Sequence, residues 1–172
     1  MEYVIARFVH VKSTITDMIL FQSSGGQYSH VELVTDDGKY IGAHVAGVEA
    51  RPMDYDAGTF ERELFMLLPM RAEAAAKCLH YMRAVADKHE GYNLLSILGF
   101  TTHFDLTKPG TTICSALVLL ALRWCEYFPR PFTIPAHRLS VRDLFIVLMG
   151  RPDMEVIEKT DPRFTAYVSA GA

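Results

Sequence analysis

The order of hydrophobic patterns divides the chain into a strand-rich part and a helix-rich part. Residues 3–9, YVIARFV, mix β-branched and aromatic residues in the manner of a strand. Further strand-like runs follow at 29–45, 47–52 and 61–68. Beyond residue 70 most apolar residues recur at helical spacing. This order predicts an α+β domain in which an antiparallel sheet packs against helices.

The segment 29–45 predicts a β-hairpin. Two strand-like runs flank the sequence DDG at 36–38. Three-residue hairpin loops favour a turn that closes on a glycine with left-handed backbone. Thr35 is therefore predicted to pair with Lys39.

Counting outward from this turn places three polar side chains on one face of the hairpin. His30 lies opposite His44, and Glu32 lies opposite Gly42. Because Gly42 has no side chain, open space that another group can occupy is expected across from Glu32. Two interpretations remain open, a functional cluster of His, Glu and His or an ordinary solvent-facing polar face. The face directed into the core is expected to carry Val31, Leu33, Ile41 and Ala43.

Helical spacing predicts most of the remaining elements. A long helix is predicted over 70–89, with Gly91 as its C-cap. Ser140 and Asp143 have the spacing of a capping box and predict a helix that follows them. Shorter helices are predicted at 13–22 and 91–100.

The segment TKPGTTICSALVLLALRWCEYF, residues 107–128, predicts a strongly apolar helix with a cysteine in its first turn. Thr111 or Thr112 is predicted to cap this helix. The free backbone N–H groups and the positive end of the helix dipole favour the thiolate form of Cys114 and make it nucleophilic near neutral pH. The same N–H groups can bind an oxyanion. The alternative is that Cys114 is a small apolar residue of a buried helix.

The other two cysteines are interpreted as core residues. Cys78 belongs to the apolar stripe of the helix at 70–89, and Cys125 lies far from the N-terminal end of its helix. Three cysteines without a CxxC spacing argue against a disulfide framework and against a structural zinc site. No metal and no other cofactor is predicted.

Composition and charge exclude some classes of protein. Of the 172 residues 50% are hydrophobic, and the formal net charge is -3 without a basic run, so nucleic acid is excluded as a partner. The apolar stretches at 113–122 and 144–149 are too short to span a bilayer. The N-terminus lacks the pattern of a signal peptide, so a cytoplasmic protein is expected. One domain is predicted over residues 1–160, followed by a tail at 161–172 that is expected to fray.

Two short motifs carry a resemblance to a known family. SHVEL at 29–33, followed by the DDG turn, and ICSALV at 113–118 resemble the SHVGI-type strand and the CSELV-type helix start of circularly permuted NlpC/P60 proteins. This branch of the papain-like superfamily includes lecithin:retinol acyltransferase-like and YiiX-like proteins. His30 precedes Cys114, which is the permuted order, and the resemblance covers about residues 3–150. The segments IGAHVAGVEARP and GYNLLSILGF also resemble small proteins of tailed phages and prophages.

The resemblance implies a permuted papain-like fold and covalent acyl transfer. The Cys114 thiolate would attack an amide or ester carbonyl, and His30 would stabilise the thiolate and protonate the leaving group. Ile113 and Tyr92 are weaker candidates for the oxyanion site and the pocket. The implied substrates are amide bonds of peptidoglycan peptides, cleaved by a component of a phage tail or lysis apparatus. Two alternatives stay open, an acyltransferase or thioesterase for lipid-like substrates and a non-catalytic virion component, with assembly partners, that keeps the fold.

The resemblance does not define the residue that orients His30. Gly42 stands at the usual position of the third polar residue, and Ala116 stands where related helix starts carry Glu. A residue two positions along the same strand lies ~6.6 Å away, which is long for a direct bond from Glu32 to the ring of His30. His44, directly opposite, is therefore favoured over Glu32 as the hydrogen-bond acceptor that orients His30. Loss of His44 is then expected to lower turnover more than loss of the Glu32 charge.

Overall fold

The fold is seen in a computed structural model. It describes residues 3–13, 17, 26–92, 110–129 and 133–171, with the side chain of Tyr92 left out. The short helices predicted at 13–22 and 91–100 lie mostly outside these residues.

An antiparallel sheet of six strands forms the centre of the described fold. Two short strands, the sixth and seventh in chain order, form a separate parallel pair. The strands are β1 (Tyr3–Val11), β2 (His30–Val34), β3 (Lys39–His44), β4 (Gly47–Pro52), β5 (Phe60–Pro69), β6 (Gly91–Tyr92), β7 (Thr111–Thr112) and β8 (Glu155–Ile157). The order in the large sheet is β4-β3-β2-β1-β5-β8. The strand-like runs predicted between residues 3 and 68 are thus confirmed, and β1 lies inside the sheet between β2 and β5.

Helices cover both faces of this sheet. The described helices are α1 (Ala72–Asp87), α2 (Cys114–Trp124), α3 (Val141–Met149) and α4 (Pro162–Val168). The first three share one apolar core with sheet residues such as Leu33 and Met66, and α4 packs on the opposite face. The predicted capping box starts α3, since Ser140 and Asp143 each accept a hydrogen bond from the backbone N–H of the other. The predicted α+β architecture is confirmed, and none of the described helices is long and apolar enough to cross a membrane.

The hairpin has the predicted register. The N–H of Thr35 donates to the carbonyl of Lys39 at 2.8 Å, and Gly38 has a left-handed φ of 70°. Val34 pairs with Tyr40, as counting from the turn requires. The four residues predicted to face the core are all buried in it, namely Val31, Leu33, Ile41 and Ala43.

Two predicted helix boundaries are wrong. α1 ends at Asp87, and Gly91 instead pairs with Thr111 in the bridge between β6 and β7. This bridge also takes Thr111 and Thr112 out of the cap of α2. Ile113, with extended backbone, takes the N-cap position and makes no side-chain capping bond. The parallel bridge joins segments far apart in sequence, and local capping rules do not include such contacts.

The frayed tail predicted for 161–172 is also wrong. Most of this segment forms α4, in which Phe164 and Tyr167 are buried. The hydroxyl of Tyr167 donates to the carbonyl of Val34 at 2.9 Å. The second face of the sheet carries apolar side chains that need a cover, and α4 provides it.

We expect Phe164→Ala to lower the free energy of unfolding by about 3–5 kcal/mol, because a buried aromatic side chain is lost. The Phe164 ring packs edge-on against Phe65, with ring centroids 4.8 Å apart. Thr165→Ala, at an exposed position of the same helix, is the matched control and should change stability by less than about 0.5 kcal/mol. Denaturant unfolding measures both variants. If both variants changed the free energy of unfolding by the same small amount, α4 would not be packed against the sheet.

Candidate active site

The start of α2 places Cys114 beside His30. Cys114 is the first residue of α2, His30 is the first residue of β2, and α2 packs against β2. The two side chains are close enough to hydrogen-bond, and backbone groups of Val31 and Ser115 also hydrogen-bond to the sulfur. Cys114 is only 3% exposed. The candidate nucleophile and the candidate imidazole partner therefore meet in a sheltered position.

Each member of this pair stabilises the charged form of the other. Burial alone would raise the pKa of the Cys114 thiol, but the His30 imidazolium and the backbone hydrogen bonds lower it below its ordinary value. Burial alone would lower the pKa of His30, but the Cys114 thiolate and the Glu32 carboxylate raise it to about 10. At neutral pH the surroundings thus favour a thiolate–imidazolium pair.

A buried carboxylate lies beside the His30 ring. Oε2 of Glu32 is 3.5 Å from Nε2 of His30 and 3.6 Å from Nε2 of His44. Burial would raise the pKa of Glu32, but His30, Arg7 and His44 lower it below its ordinary value. One ligand atom from each of His30, Glu32 and His44 lies within 4.8 Å of the others, so these residues could also hold a metal ion.

The distance predicted between Glu32 and His30 is wrong for the interacting atoms. The value of ~6.6 Å is the spacing of the two positions along a strand, whereas the carboxylate and the ring lean toward each other and approach to 3.5 Å. The hydrogen bond predicted between His30 and His44 is not formed through their Nε2 atoms, since neither has a partner among the described residues. Burial and the charge of His30 lower the pKa of His44 to about 3, so its ring is neutral at pH 7.

The open space predicted at Gly42 is filled. A Cβ at this position would lie 3.0 Å from the Cβ of Glu32 and 3.0 Å from Nε2 of His30. Both side chains therefore lie over the Gly42 backbone, and a larger residue would displace them. The interpretation as an ordinary solvent-facing surface is also wrong, because Glu32 is fully buried and the His30 and His44 side chains are 13% and 10% exposed.

Sequence reasoning missed Arg7 and two of its partners. Arg7 lies on β1 opposite Glu32, is fully buried and donates to Oε1 of Glu32 at 2.6 Å. Its other N–H groups donate to both carboxylate oxygens of Asp56, at 3.0 and 2.8 Å, and to Glu63 at 2.5 Å. The guanidinium also lies 4.3 Å from the centroid of the Tyr40 ring. The available signal was a lone arginine in an otherwise apolar strand, because a buried charge requires charged or hydrogen-bonding partners.

The other predicted residues contribute less to this cluster. Ile113 is the buried N-cap of α2, and the side chain of Tyr92 lies outside the described part of the chain. Cys78 and Cys125 are buried beside each other in the core, as predicted. Their thiols are free.

A comparison with solved structures shows which fold this is. The chain is similar to the crystal structure of the metalloprotein YiiX from Escherichia coli O157:H7, DUF1105, with a TM-score of 0.51 and 14% sequence identity. The match covers 91% of this chain and 96% of the YiiX chain. No protein-family model and no curated protein matches this chain. At this identity the likeness shows a YiiX-like fold, in agreement with the YiiX-like part of the resemblance, and the activity has to be argued from the site.

We expect iodoacetamide to alkylate Cys114 before Cys78 and Cys125, since Cys114 has the imidazole partner. The lowered pKa of Cys114 means that its labelling rate should stay high as the pH falls below about 8.5, the pKa of an ordinary thiol. The rate should decline only when Cys114 itself takes up a proton. Peptide mass spectrometry after timed labelling measures all three rates.

The matched variants for this experiment are two histidine substitutions. His30→Ala removes the imidazolium and should slow the labelling of Cys114 at pH 7 by about tenfold or more, since one pKa unit changes the thiolate fraction about tenfold. His80→Ala, at an exposed position of α1, should leave the rate unchanged. Equal labelling of the three cysteines, or a rate indifferent to His30→Ala, would contradict the pair.

Proposed function

We propose that this protein is a papain-like cysteine hydrolase that cleaves an amide bond through a covalent acyl-enzyme. The observation that carries the proposal is the contact between the Cys114 thiol at the start of α2 and the His30 imidazole, in which each favours the charged form of the other. A thiolate held by an imidazolium at a helix N-terminus is an activated nucleophile. The YiiX-like fold supports the same assignment.

In the first half of the reaction, the Cys114 thiolate attacks the carbonyl carbon of the substrate and a C–S bond forms. The negative charge moves to the carbonyl oxygen. The N–H of Cys114 can stabilise that oxygen, because the first four N–H groups of a helix have no partner within it. His30 then donates its proton to the leaving amine, the C–N bond breaks and the acyl-enzyme remains.

In the second half, water releases the acyl group. The neutral His30 ring accepts a proton from water as the water oxygen attacks the thioester carbonyl. The C–S bond breaks, and Cys114 leaves as a thiolate beside the protonated His30. The starting pair is thereby restored without any net change in the protein.

Glu32 is the residue we assign to orient His30, in place of His44. Its carboxylate lies 3.5 Å from Nε2 of His30, and its charge favours the imidazolium. Arg7 donates to Glu32 at 2.6 Å and favours the ionised carboxylate. His44 is neutral at pH 7 and has no hydrogen bond to His30 through its Nε2. It therefore packs beside the His30 ring without a charge that would favour the imidazolium.

The substrate class in this proposal comes from the sequence resemblance, which points to peptidoglycan peptides and a role in a phage tail or lysis apparatus. Incubation of the protein with peptidoglycan-derived peptides and, separately, with fatty acyl esters tests this choice. We expect new amine termini from the peptides and none with Cys114→Ala. Cleavage of the acyl esters alone would transfer the proposal to lipid-like substrates. The absence of an acyl-enzyme with every substrate, judged by intact mass, would contradict catalysis and favour a non-catalytic component.

We expect Glu32→Gln to lower kcat more than His44→Ala. The amide keeps an oxygen for Arg7 but removes the charge that favours the His30 imidazolium, so kcat should fall by about 10–100-fold, within the usual contribution of acid–base catalysis. The charges around His30 raise its pKa to about 10, so wild-type activity should decline as the pH rises through that value. In Glu32→Gln this decline should begin at lower pH.

Steady-state kinetics across pH, with thermal unfolding as a check on folding, measure these effects. Cys114→Ala is the reference for complete loss of turnover, and His44→Ala should leave the alkaline decline close to that of the wild type. A larger loss of kcat in His44→Ala than in Glu32→Gln would contradict the role assigned to Glu32.

A further inference from the structure

Two buried imidazole nitrogens beside Glu32 have no hydrogen-bond partner in the described part of the protein. They are Nε2 of His30 and Nε2 of His44. A buried polar atom without a partner costs about 1–3 kcal/mol, so a group that satisfies both nitrogens would stabilise the site. Both nitrogens face the same oxygen, Oε2 of Glu32, at 3.5 and 3.6 Å. These separations are long for hydrogen bonds.

The ligand atoms of the three side chains lie within 4.8 Å of one another, and the two N···O separations fit a metal ion bound at Oε2 of Glu32. Zn²⁺ binds imidazole nitrogen at about 2.0–2.1 Å and carboxylate oxygen at about 2.0–2.2 Å, which places neighbouring ligands of a tetrahedral ion about 3.3–3.5 Å apart. The two N···O distances at Glu32 are close to this size. The absence of a Cβ at Gly42 lets two of the ligands lie over its backbone, since a Cβ there would lie 3.0 Å from Nε2 of His30 and 3.4 Å from Oε2 of Glu32.

The charge around the cluster also favours a cation. The guanidinium of Arg7 bonds to three carboxylates, those of Glu32, Asp56 and Glu63. Their side chains are 0%, 5% and 14% exposed, so two negative charges in excess of the guanidinium lie in a largely buried region. Excess negative charge in a low-dielectric region is unfavourable. The His30 imidazolium offsets part of it in the metal-free protein, and a divalent cation next to Glu32 would offset it in the metal-bound protein.

Two imidazoles and one carboxylate are a donor set suited to zinc. Magnesium and calcium prefer ligands that are all oxygen, whereas imidazole suits zinc and its neighbours among the transition metals. Two histidines and one glutamate with a further open position are a known zinc ligand set. The 2.6 Å bond from Arg7 fixes the Glu32 carboxylate from behind, in the way that outer groups orient metal ligands.

We propose that His30, Glu32 and His44 form a binding site for a zinc ion, and that zinc binding and cysteine catalysis exclude each other. The second part rests on the proposed function. A neutral imidazole has one N–H and one free lone pair. When Nε2 of His30 gives its lone pair to zinc, the ring proton lies on Nδ1, and no lone pair remains to accept a proton from water in the second half of the reaction. The zinc-bound protein is therefore the inactive form, and a chelator activates it.

Binding is tested in the Cys114→Ala protein, in which the thiol cannot hold the ion and no activity is needed. Calorimetric titration with Zn²⁺ alone should show one tightly bound ion per chain. Adding His44→Ala should weaken this binding by at least about tenfold, since a ligand is lost. His80→Ala is the matched control and should leave the affinity unchanged. No binding by the folded protein, or binding that His44→Ala does not weaken, would overturn the site.

Exclusion is tested by the rate at which the protein that keeps all three cysteines cleaves the peptidoglycan-derived peptides. Zinc should lower this rate by at least about tenfold, because His30 can no longer accept a proton during turnover, and a chelator should restore the rate. In His44→Ala the same zinc concentration should have little effect. Equal slowing in His44→Ala would show that zinc acts on the thiol directly, and this would overturn the exclusion, as would a zinc-bound protein that turns over substrate at the zinc-free rate. Because the binding experiment uses no cysteine chemistry, a failure of the proposed function would leave its result intact.

Discussion

The buried carboxylate of Glu32 is the constraint on which the rest of the site depends. A carboxylate removed from water is stable only with hydrogen bonds and opposite charge, and Arg7 provides both at 2.6 Å. Arg7, Glu32 and His44 come from β1, β2 and β3, so their cluster joins three neighbouring strands. The same carboxylate favours the imidazolium of His30, which in turn favours the thiolate of Cys114. The polar interior of the sheet and the reactivity of the cysteine thus belong to one network.

Local patterns were sufficient to predict the hairpin and the helix that carries the cysteine. The DDG turn sets Thr35 opposite Lys39, and the period of two along a strand then decides which side chains share a face. This reasoning brought His30, Glu32 and His44 together correctly. It could not bring Cys114 to His30, because no short-range rule joins positions so far apart, and only the family resemblance suggested that contact.

The parts that the sequence did not predict depend on contacts between distant segments. Arg7 was read as one residue of a strand because its partners Asp56 and Glu63 belong to other segments of the chain. The preference for His44 over Glu32 came from the distance between two positions on a strand, which suggested that Glu32 was too far from His30. The side chains of Glu32 and His30 extend toward each other, so their polar atoms are close despite that spacing. Helix α4 was predicted as a frayed tail because a helix this short is not stable alone. Its apolar residues are buried only by packing against the second face of the sheet.

The ionisation state of His30 is the most direct test of this account. NMR titration of the histidine rings in metal-free protein, with Cys114→Ala as the comparison, measures it residue by residue. We predict that His30 is protonated at pH 7 and titrates near pH 10, that Cys114→Ala lowers this pKa, and that the pKa of His44 is near 3. A pKa of His30 near its ordinary value of 6.5 in both proteins would contradict the thiolate–imidazolium pair.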